Sequence, residues 1–294
     1  MNWQGGRRSS NIEDRRGQGV GRPLAMGGGL VTLVAAVVVY LLGGDPGVVL
    51  SDGSQGPSAQ VGTGGSGARE DPAQEPLKDF VSVILADTED TWPQLLSPEG
   101  VRYVQPRLVL FSDAVQSACG LEQSAVGPFY CPGDQRVYLD LTFFQELEQR
   151  LGAPGEFARA YVVAHEVGHH VQNLLGISER VQSARQRSRA QANALSVRQE
   201  LQADCFAGIW AHHAQRQRHV LERGDVEAGL DAASAIGDDT LQRRAGGHVV
   251  PESFTHGSSE QRVFWFRRGL EKGTLEACDT FSANAPEESG AARR

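Results

Sequence analysis

The chain has 294 residues, enough for one sizeable domain or two small ones, and its 40% hydrophobic and 22% charged residues are typical of a globular protein. The formal net charge is −8 at pH 7. Arginines outnumber acids in the first 23 residues, so the rest of the chain is more acidic than the total. A body this acidic argues against a nucleic-acid partner, which would need a basic face, and we expect none.

Residues 24–42 form an uncharged apolar run, LAMGGGLVTLVAAVVVYLL. As a helix this run would be about 28 Å long, close to the thickness of the hydrocarbon core of a bilayer. It is longer than the apolar part of a secretory signal, and no A-x-A-like cleavage site follows it. We therefore predict a single transmembrane helix. Because arginines precede it, the positive-inside rule predicts a cytoplasmic N-terminus and places everything after the helix outside the cytoplasm, at the cell membrane.

Three segments are too poor in large apolar residues to bury a core. Residues 1–23 are polar and rich in Gly and Arg, and we predict a disordered, basic cytoplasmic tail. Residues 43–75 are rich in Gly, Ser and Pro, which predicts a flexible linker, and residues 283–294 are predicted to be a disordered tail. The folded domain is therefore expected at residues 76–282.

The pattern of the predicted domain is helix, short strands, then several helices. EPLKDFVSVILADTEDTWPQLL has apolar residues at helical spacing, with Pro76 in the first turn. RLVLFS and QRVYLDLTFF are rich in the β-branched and aromatic residues that favour strands. After Pro154 the chain is helical almost throughout, with long segments near residues 178–217 and 225–242. This order predicts an α+β fold, mostly helical with a small sheet, preceded by the transmembrane helix.

The first chemical signal is H-E-x-x-H within the apolar stretch ARAYVVAHEVGHHVQNLLG. On a helix His165 and His169 lie one turn apart on the same face and can both bind one Zn²⁺. Glu166 is then turned toward the open position of the metal, where it can take a proton from water. Gly168 lowers helix stability but allows another backbone to approach closely. His170 is expected on the outer side of the helix. We predict a zinc site rather than a polar surface turn that is rich in histidine.

A third protein ligand is needed, and RQELQADCFAGIW supplies Glu200 and, four residues later on the same face, Asp204. One carboxylate can bind the metal while the other accepts a hydrogen bond from the distal nitrogen of a liganding histidine. The apolar neighbours of this pair indicate a packed helix rather than a solvated acidic face. We therefore predict Glu200 as the third ligand and Asp204 as the orienting carboxylate.

At this point the chain resembles a known family. AYVVAHEVGHHVQNLLG, RQELQADCFAGIWA and VVPESFTHGSSEQR are similar to the neutral zinc metallopeptidases, a family of membrane-anchored bacterial proteins. This resemblance covers residues 76–282 and implies a zincin-like fold, a zinc cofactor and a peptide or protein substrate. More distantly, H-E-x-x-H followed by E-x-x-A-D is similar to the gluzincin metallopeptidases. That similarity implies Glu200 as a zinc ligand, Asp204 as the partner of a histidine, and Glu166 as the catalytic base.

FTHGSSEQR contains His256 and Arg262 and is similar to a T-H-P-x-x-x-x-R stretch in one gluzincin group, whose residues lie near the substrate. The proline of that stretch is Gly257 here. His256 could donate a hydrogen bond to the oxyanion of the reaction, which makes it a second candidate catalytic residue. The alternative is that the Ser/Thr/His cluster only caps a helix.

The four cysteines, Cys119, Cys131, Cys205 and Cys278, lie on the predicted extracytoplasmic side, where disulfides form. Three pairings are possible, and metal binding is the alternative, but the sequence has no C-x-x-C pair. We therefore predict disulfides and leave the pairing open. One of the three pairings is a local Cys119–Cys131 bridge together with Cys205–Cys278, which would stiffen the surroundings of the neighbouring Asp204. DQRVYLDLTFF has strand character, and the resemblance to zincin-like folds implies that it is the edge strand above the zinc, to which a peptide could add.

Together these features predict a membrane-anchored, zinc-dependent peptidase. Zinc would activate the attacking water and the scissile carbonyl, and Glu166 would transfer the proton to the leaving amine. Two alternatives are a catalytically inactive zinc scaffold that binds an envelope partner, and a zinc hydrolase of a non-peptide amide. The intact Glu166 argues against the scaffold, because a structural zinc site gains nothing from a free carboxylate there.

Overall fold

A computed structural model of the chain describes residues 1–18 and 72–282. The predicted transmembrane helix at 24–42, nearly all of the predicted linker at 43–75 and the predicted tail at 283–294 lie outside the described residues. None of the described helices is long and apolar enough to span a membrane. Residues 1–17 belong to the same compact body as residues 72–282.

The described body combines a mixed four-stranded sheet, a two-stranded hairpin and eight α-helices. The strands are β1 Ile12–Asp14, β2 Arg107–Phe111, β3 Ala114–Ser117, β4 Gly120–Gln123, β5 Phe129–Cys131 and β6 Arg136–Asp140. The helices are α1 Glu75–Leu96, α2 Phe143–Gln149, α3 Glu156–Leu174, α4 Ile177–Arg187, α5 Ala192–Arg218, α6 Asp225–Ala235, α7 Asp238–Arg244 and α8 Ser259–Lys272. The predicted α+β class, mostly helical with small sheets, is confirmed.

The order of strands in the main sheet is β1-β2-β6-β5. Strands β1, β2 and β6 are parallel, and β5 runs antiparallel to β6. Successive side chains of a strand point to opposite faces of the sheet, so each face packs against its own hydrophobic cluster. Leu108 and Leu110 of β2 face the large core formed by the helices, whereas Val109 and Phe111 face a small cluster that includes Val115 of the hairpin.

The N-terminal segment differs from its prediction. We predicted a disordered tail over residues 1–23, but β1 pairs with β2, with Ile12 opposite Leu108. Arg16 is buried, and it donates to Asp14 and Glu75 at 2.6 and 2.7 Å. The prediction is wrong for this segment because its docking depends on ion pairs and on a sheet partner that lies 96 residues farther along the chain, which local composition does not reveal.

All four cysteines form disulfides, as predicted, and of the three possible pairings the structure has Cys119–Cys131 and Cys205–Cys278. The first bridge joins the end of the β3–β4 hairpin to β5, and the second ties α5 to the segment that follows α8. The predicted edge strand is wrong: β6 pairs with β2 on one side and β5 on the other. The edge of the sheet is β5 instead, a strand of three residues that is too short for a clear sequence signal.

The helices that carry the predicted site residues approach one another closely at glycines. A Cβ atom at Gly168 on α3 would lie 2.9 Å from the carbonyl oxygen of Ala203 on α5. A Cβ atom at Gly269 on α8 would lie 1.9 Å from the carbonyl oxygen of Cys205, also on α5. Helices that meet almost backbone to backbone bring short side chains on facing turns within hydrogen-bonding distance. The sequence therefore uses glycine to place α5 between α3 and α8.

Candidate metal centre

Two helices, α3 and α5, bring three donor groups together. His165 and His169 of α3 and Glu200 of α5 present ligand atoms that all lie within 4.8 Å of one another. The Nε2 atoms of His165 and His169 lie 3.2 and 3.4 Å from Oε2 of Glu200. The i, i+4 spacing on α3 and the close approach at Gly168 together explain this convergence.

The outer nitrogen of each histidine is occupied by a hydrogen bond. Nδ1 of His165 lies 2.8 Å from Oδ1 of Asp204, and Nδ1 of His169 lies 2.9 Å from Oε1 of Gln172. Both acceptors require the proton on Nδ1, so the Nε2 lone pairs point toward Glu200. The arrangement therefore prepares both imidazoles to bind a metal through Nε2.

Asp204 is fully buried, and besides His165 it accepts hydrogen bonds from two further side chains. Arg262 of α8 donates to both of its carboxylate oxygens, from Nε at 2.8 Å and from the Nη2 nitrogen at 2.9 Å. The hydroxyl of Tyr161 donates to Oδ1 at 2.5 Å. A two-pronged guanidinium contact fixes the plane of the carboxylate, and through it the ring of His165. Asp204, the second residue of the E-x-x-x-D pair, therefore lies where it can orient His165, as the sequence predicts.

The charges around the cluster favour a cation between its side chains. Burial acts to lower the pKa of His165, but Asp204 and Glu200 outweigh it and raise that pKa to about 10. Burial acts to raise the pKa of Glu200, but His169 and His165 hold it well below its usual range. Burial likewise opposes ionisation of Asp204, whose pKa Arg262 and His165 lower to about 2. The site thus favours a positive charge, which a divalent metal ion supplies.

Glu166 lies beside the cluster and shares its burial. Burial raises the pKa of its carboxyl above the usual value, while His165 and His169 act in the opposite direction. A carboxylate whose pKa is raised is a better proton acceptor near neutral pH. Glu166 and the three donor groups all line one cleft of about 1160 Å³, which is open to solvent. The geometry therefore provides a base next to a metal-binding group in a space that accepts a ligand.

Sequence reasoning missed Gln172, which orients the second histidine. Its amide nitrogen donates to the carbonyl of Gln199 at 2.7 Å and to Oε1 of Gln202 at 3.0 Å, so its oxygen faces His169. Gln202 in turn donates to the carbonyl of Cys278 at 3.0 Å. The Cys205–Cys278 bridge therefore supports the site through His169, in addition to its proximity to Asp204. The i, i+3 spacing of His169 and Gln172 was the one available signal.

The two candidate residues of FTHGSSEQR, Arg262 and His256, lie in different environments, one buried and one exposed. Arg262 is buried against Asp204, and the cleft-lining His256 has a side chain that is 52% exposed. Nδ1 of His256 lies 3.2 Å from Oδ1 of Asp238, whose other oxygen accepts the backbone N–H of His256 at 2.7 Å. The helix-capping alternative also has a basis, because Ser258 and Gln261 form a capping box at the start of α8.

His170 is not on the outer side of α3 as predicted, since it is fully buried. Its Nε2 donates to the carbonyl of Val104 at 2.6 Å, and its Nδ1 lies 3.1 Å from the hydroxyl of Tyr130. Burial lowers the pKa of this imidazole to about 4, although the bond to Val104 acts in the opposite direction. The prediction failed because α3 is packed on both sides, against the helices and against the β5 edge, which its periodicity alone does not reveal.

Comparison with known proteins identifies the family. The family model described as "Putative neutral zinc metallopeptidase" matches residues 1–281. The uncharacterized protein YpfJ of Escherichia coli strain K12 is 49% identical over 290 residues, which cover 96% of this chain and 99% of the relative. The uncharacterized protein Rv2575 of Mycobacterium tuberculosis is 41% identical over 253 residues, covering 83% and 85%. No solved structure matches this chain. The chain belongs to the neutral zinc metallopeptidase family, and zinc is the cofactor that this membership implies.

Proposed function

We propose that the protein is a zinc-dependent peptidase in which His165, His169 and Glu200 bind the metal. Two imidazole nitrogens and one carboxylate oxygen are a donor set that catalytic zinc sites use, with a further position left for water or substrate. The observation that carries the proposal is the position of Glu166, a buried carboxylate next to these donors in an open cleft. A purely structural zinc site has no use for such a group.

Zinc in this site would supply a Lewis acid that polarises the scissile carbonyl and makes a water more acidic. Glu166 accepts a proton from the attacking water as its oxygen bonds to the carbonyl carbon, and passes this proton to the amide nitrogen as the C–N bond breaks. The products are a carboxylic acid and an amine, and the acid then loses its proton to the amine or to solvent. Asp204, Gln172 and Arg262 keep the ligands in position throughout. His256 is proposed as a hydrogen-bond donor to the oxyanion.

The decisive experiment compares the zinc-loaded full chain with Glu166→Gln at equal zinc content, on a mixed peptide library analysed by mass spectrometry. We expect cleavage by the wild type and a rate roughly 10²- to 10⁴-fold lower for the variant, since the substitution removes the base but leaves the ligands. Equal cleavage by both proteins would refute the role of Glu166. An untouched library would favour the zinc scaffold or the hydrolase of a non-peptide amide.

We also propose attachment to the cell membrane through residues 24–42, with the metal centre outside the cytoplasm. The two disulfides support an oxidising compartment. A chain that keeps the pairing of β1 with β2 would have residues 1–17 and the candidate metal centre on the same side of the membrane. A single crossing with residues 1–23 in the cytoplasm would require β1 to leave the sheet.

Membrane-impermeant thiol labelling of intact cells tests both parts of this localisation. Cysteines introduced at the exposed positions Ser10 and Glu271 report on the N-terminal segment and on the domain. Labelling of both sites supports a docked β1 outside the cytoplasm. Labelling of Glu271→Cys alone supports a cytoplasmic N-terminus, and labelling of neither refutes the extracytoplasmic location.

A further inference from the structure

The cleft has a charge pattern that the acidic composition of the chain does not suggest. Apart from the metal centre and the buried Arg262, its charged lining includes three arginines, Arg150, Arg185 and Arg244, and one carboxylate, Glu146. A cleft lined by one sign of charge attracts ligands of the opposite sign and repels those of the same sign. The surroundings of each arginine show which of them is free to contact a ligand.

Two of these arginines already have partners on the side of the cleft formed by α2 and α7. Arg150 lies 3.5 Å from Glu146 in an ion pair along α2. Arg244 donates to the backbone carbonyls of Arg150 and Leu151, at 2.7 and 3.1 Å, and so completes the end of α2. Both side chains already make hydrogen bonds or ion pairs within the fold. They therefore stabilise the structure on this side of the cleft and have fewer donors left for a ligand.

Arg185 is different. It lies in the last turn of α4 and is exposed, and within the described ranges 1–18 and 72–282 it has no hydrogen-bond or ion-pair partner. The same cleft is also lined by the polar residues Ser178 of its own helix and Ser196 and Gln199 of α5. The carboxylate that lines this side is Glu200, which is committed to the metal-binding cluster. This side of the cleft therefore offers an unused guanidinium among polar groups.

We propose that Arg185 is a specificity-determining residue that binds a carboxylate of the substrate. The inference deepens the proposed peptidase function and rests on it: the substrates are peptides with a carboxylate on the α4 side of the scissile bond. That carboxylate is either an Asp or Glu side chain or the free C-terminus of the peptide. A guanidinium recognises both through the same two-pronged hydrogen bonding. A two-pronged, charge-assisted contact is worth more than an ordinary exposed ion pair, so the expected preference is about tenfold, and it weakens with salt.

The test uses fluorogenic peptides derived from a cleaved library member. One series has a single Glu scanned across the positions on each side of the scissile bond, and a matched series has Gln at the same positions, all with amidated C-termini. A third series has Gln and a free C-terminus. We expect the zinc-loaded wild type to cleave one Glu peptide, or the peptide with a free C-terminus, with kcat/KM about ten times that of its neutral match. The series that responds identifies the source of the carboxylate.

Arg185→Glu should abolish this preference and leave kcat/KM for the neutral peptides within about twofold. The matched control is Arg187→Glu, on the same helix and exposed, but lining a second cavity of about 650 Å³ instead of the cleft. Both variants change the net charge equally, so a preference lost in both would assign the effect to overall charge and overturn the proposal. A preference retained in Arg185→Glu would also overturn it.

A binding measurement separates this inference from the peptidase function. Fluorescence anisotropy is measured on zinc-loaded Glu166→Gln, with and without Arg185→Glu, using labelled Glu and Gln forms of library peptides that are selected by binding, without any need for cleavage. A tenfold loss of affinity for the acidic peptide alone supports carboxylate recognition by Arg185, even if no protein cleaves any peptide and the peptidase function fails. Equal affinities with and without Arg185→Glu refute the recognition, even if the wild type is an active peptidase.

Discussion

At the scale of single residues, the metal centre depends on groups that never touch the metal position. Asp204 and Gln172 each hold the outer nitrogen of one histidine. Asp204 in turn requires Arg262, because a buried carboxylate without a counter-charge is strongly destabilising. Exchange of Arg262 for lysine would keep the charge and lose the two-pronged contact, so it is not a conservative change.

Gln172→Met should lower the zinc affinity by 10- to 100-fold, a typical range for the loss of a group that orients a metal-binding histidine. Methionine matches the length of glutamine but offers no amide oxygen to Nδ1 of His169. Competition with a zinc chelator measures the change. Gln182→Met, at an exposed position of α4, is the control and should bind zinc as the wild type does. Unchanged affinity in Gln172→Met would contradict the role assigned to its amide.

At the scale of elements, the sequence predicted arrangements that depend on the spacing within one helix, and it missed contacts between segments that lie far apart in the chain. The i, i+4 pairs of α3 and α5 lie on one face because of helix geometry, so His165, His169, Glu200 and Asp204 were accessible from spacing alone. The hydrogen-bond partner of His169 could not be predicted in this way, because several polar residues have a suitable spacing from it. The segment at 178–217 was predicted as one helix, but the chain breaks it between α4 and α5. The β3–β4 hairpin and β5 are too short and too irregular for a clear strand pattern.

Gly168→Ala tests the close approach of α3 and α5. The added methyl group would lie 2.9 Å from the carbonyl oxygen of Ala203, a backbone atom that cannot move without its helix. We expect a loss of about 1–3 kcal/mol in the free energy of unfolding, as for other overpacked cores, despite the better helix propensity of alanine. Zinc affinity should fall as well, because Glu200 moves away with α5.

Urea unfolding with and without zinc measures both effects of Gly168→Ala. Gly247→Ala is the control, because a Cβ atom there would meet only the carbonyl oxygen of Gln242, at an ordinary 3.5 Å. A Gly168→Ala protein as stable as the wild type would show that the two helices separate at little cost.

At the scale of the whole molecule, the N-terminal segment is part of the domain that carries the metal centre. β1 adds a parallel strand at the edge of the sheet opposite β5, the strand that lines the cleft. A cluster of charges holds it: Asp14 bonds to Arg16 and lies 2.8 Å from Lys78 of α1. The acidic and basic residues that suggested a solvated tail are therefore the ones that attach it.

This attachment predicts a pH dependence of stability. Burial acts to raise the pKa of Asp14, but Arg16 and Lys78 hold it well below its usual 3.8. A carboxylate with a lowered pKa stabilises the fold above the unfolded value, and this stabilisation is lost as the pH falls through the folded value. Asp14→Asn should therefore be less stable than the wild type at pH 7, by about 1 kcal/mol after allowance for solvent screening.

The difference between wild type and Asp14→Asn should shrink as the pH falls below about 4, where the unfolded chain begins to take up the proton. Urea unfolding at a series of pH values between 7 and 3 measures it. Asp113→Asn, outside the charge cluster of the N-terminal segment, is the control. A difference between wild type and Asp14→Asn that stays constant over this range would show that the charge of Asp14 does not hold β1 in place.

Arg16 also joins the points at which the chain leaves the domain and returns to it, since it bonds to Gln74 and Glu75 at 3.2 and 2.7 Å. One arginine side chain spans the two ends of the 53 residues at 19–71. A connector of about six residues is long enough to replace them. Because loop closure costs less entropy for a shorter loop, such a shortened protein would gain about 2 kcal/mol of stability. It would also lack the apolar run at residues 24–42, so a comparison with the full chain would show whether that run attaches the protein to a membrane.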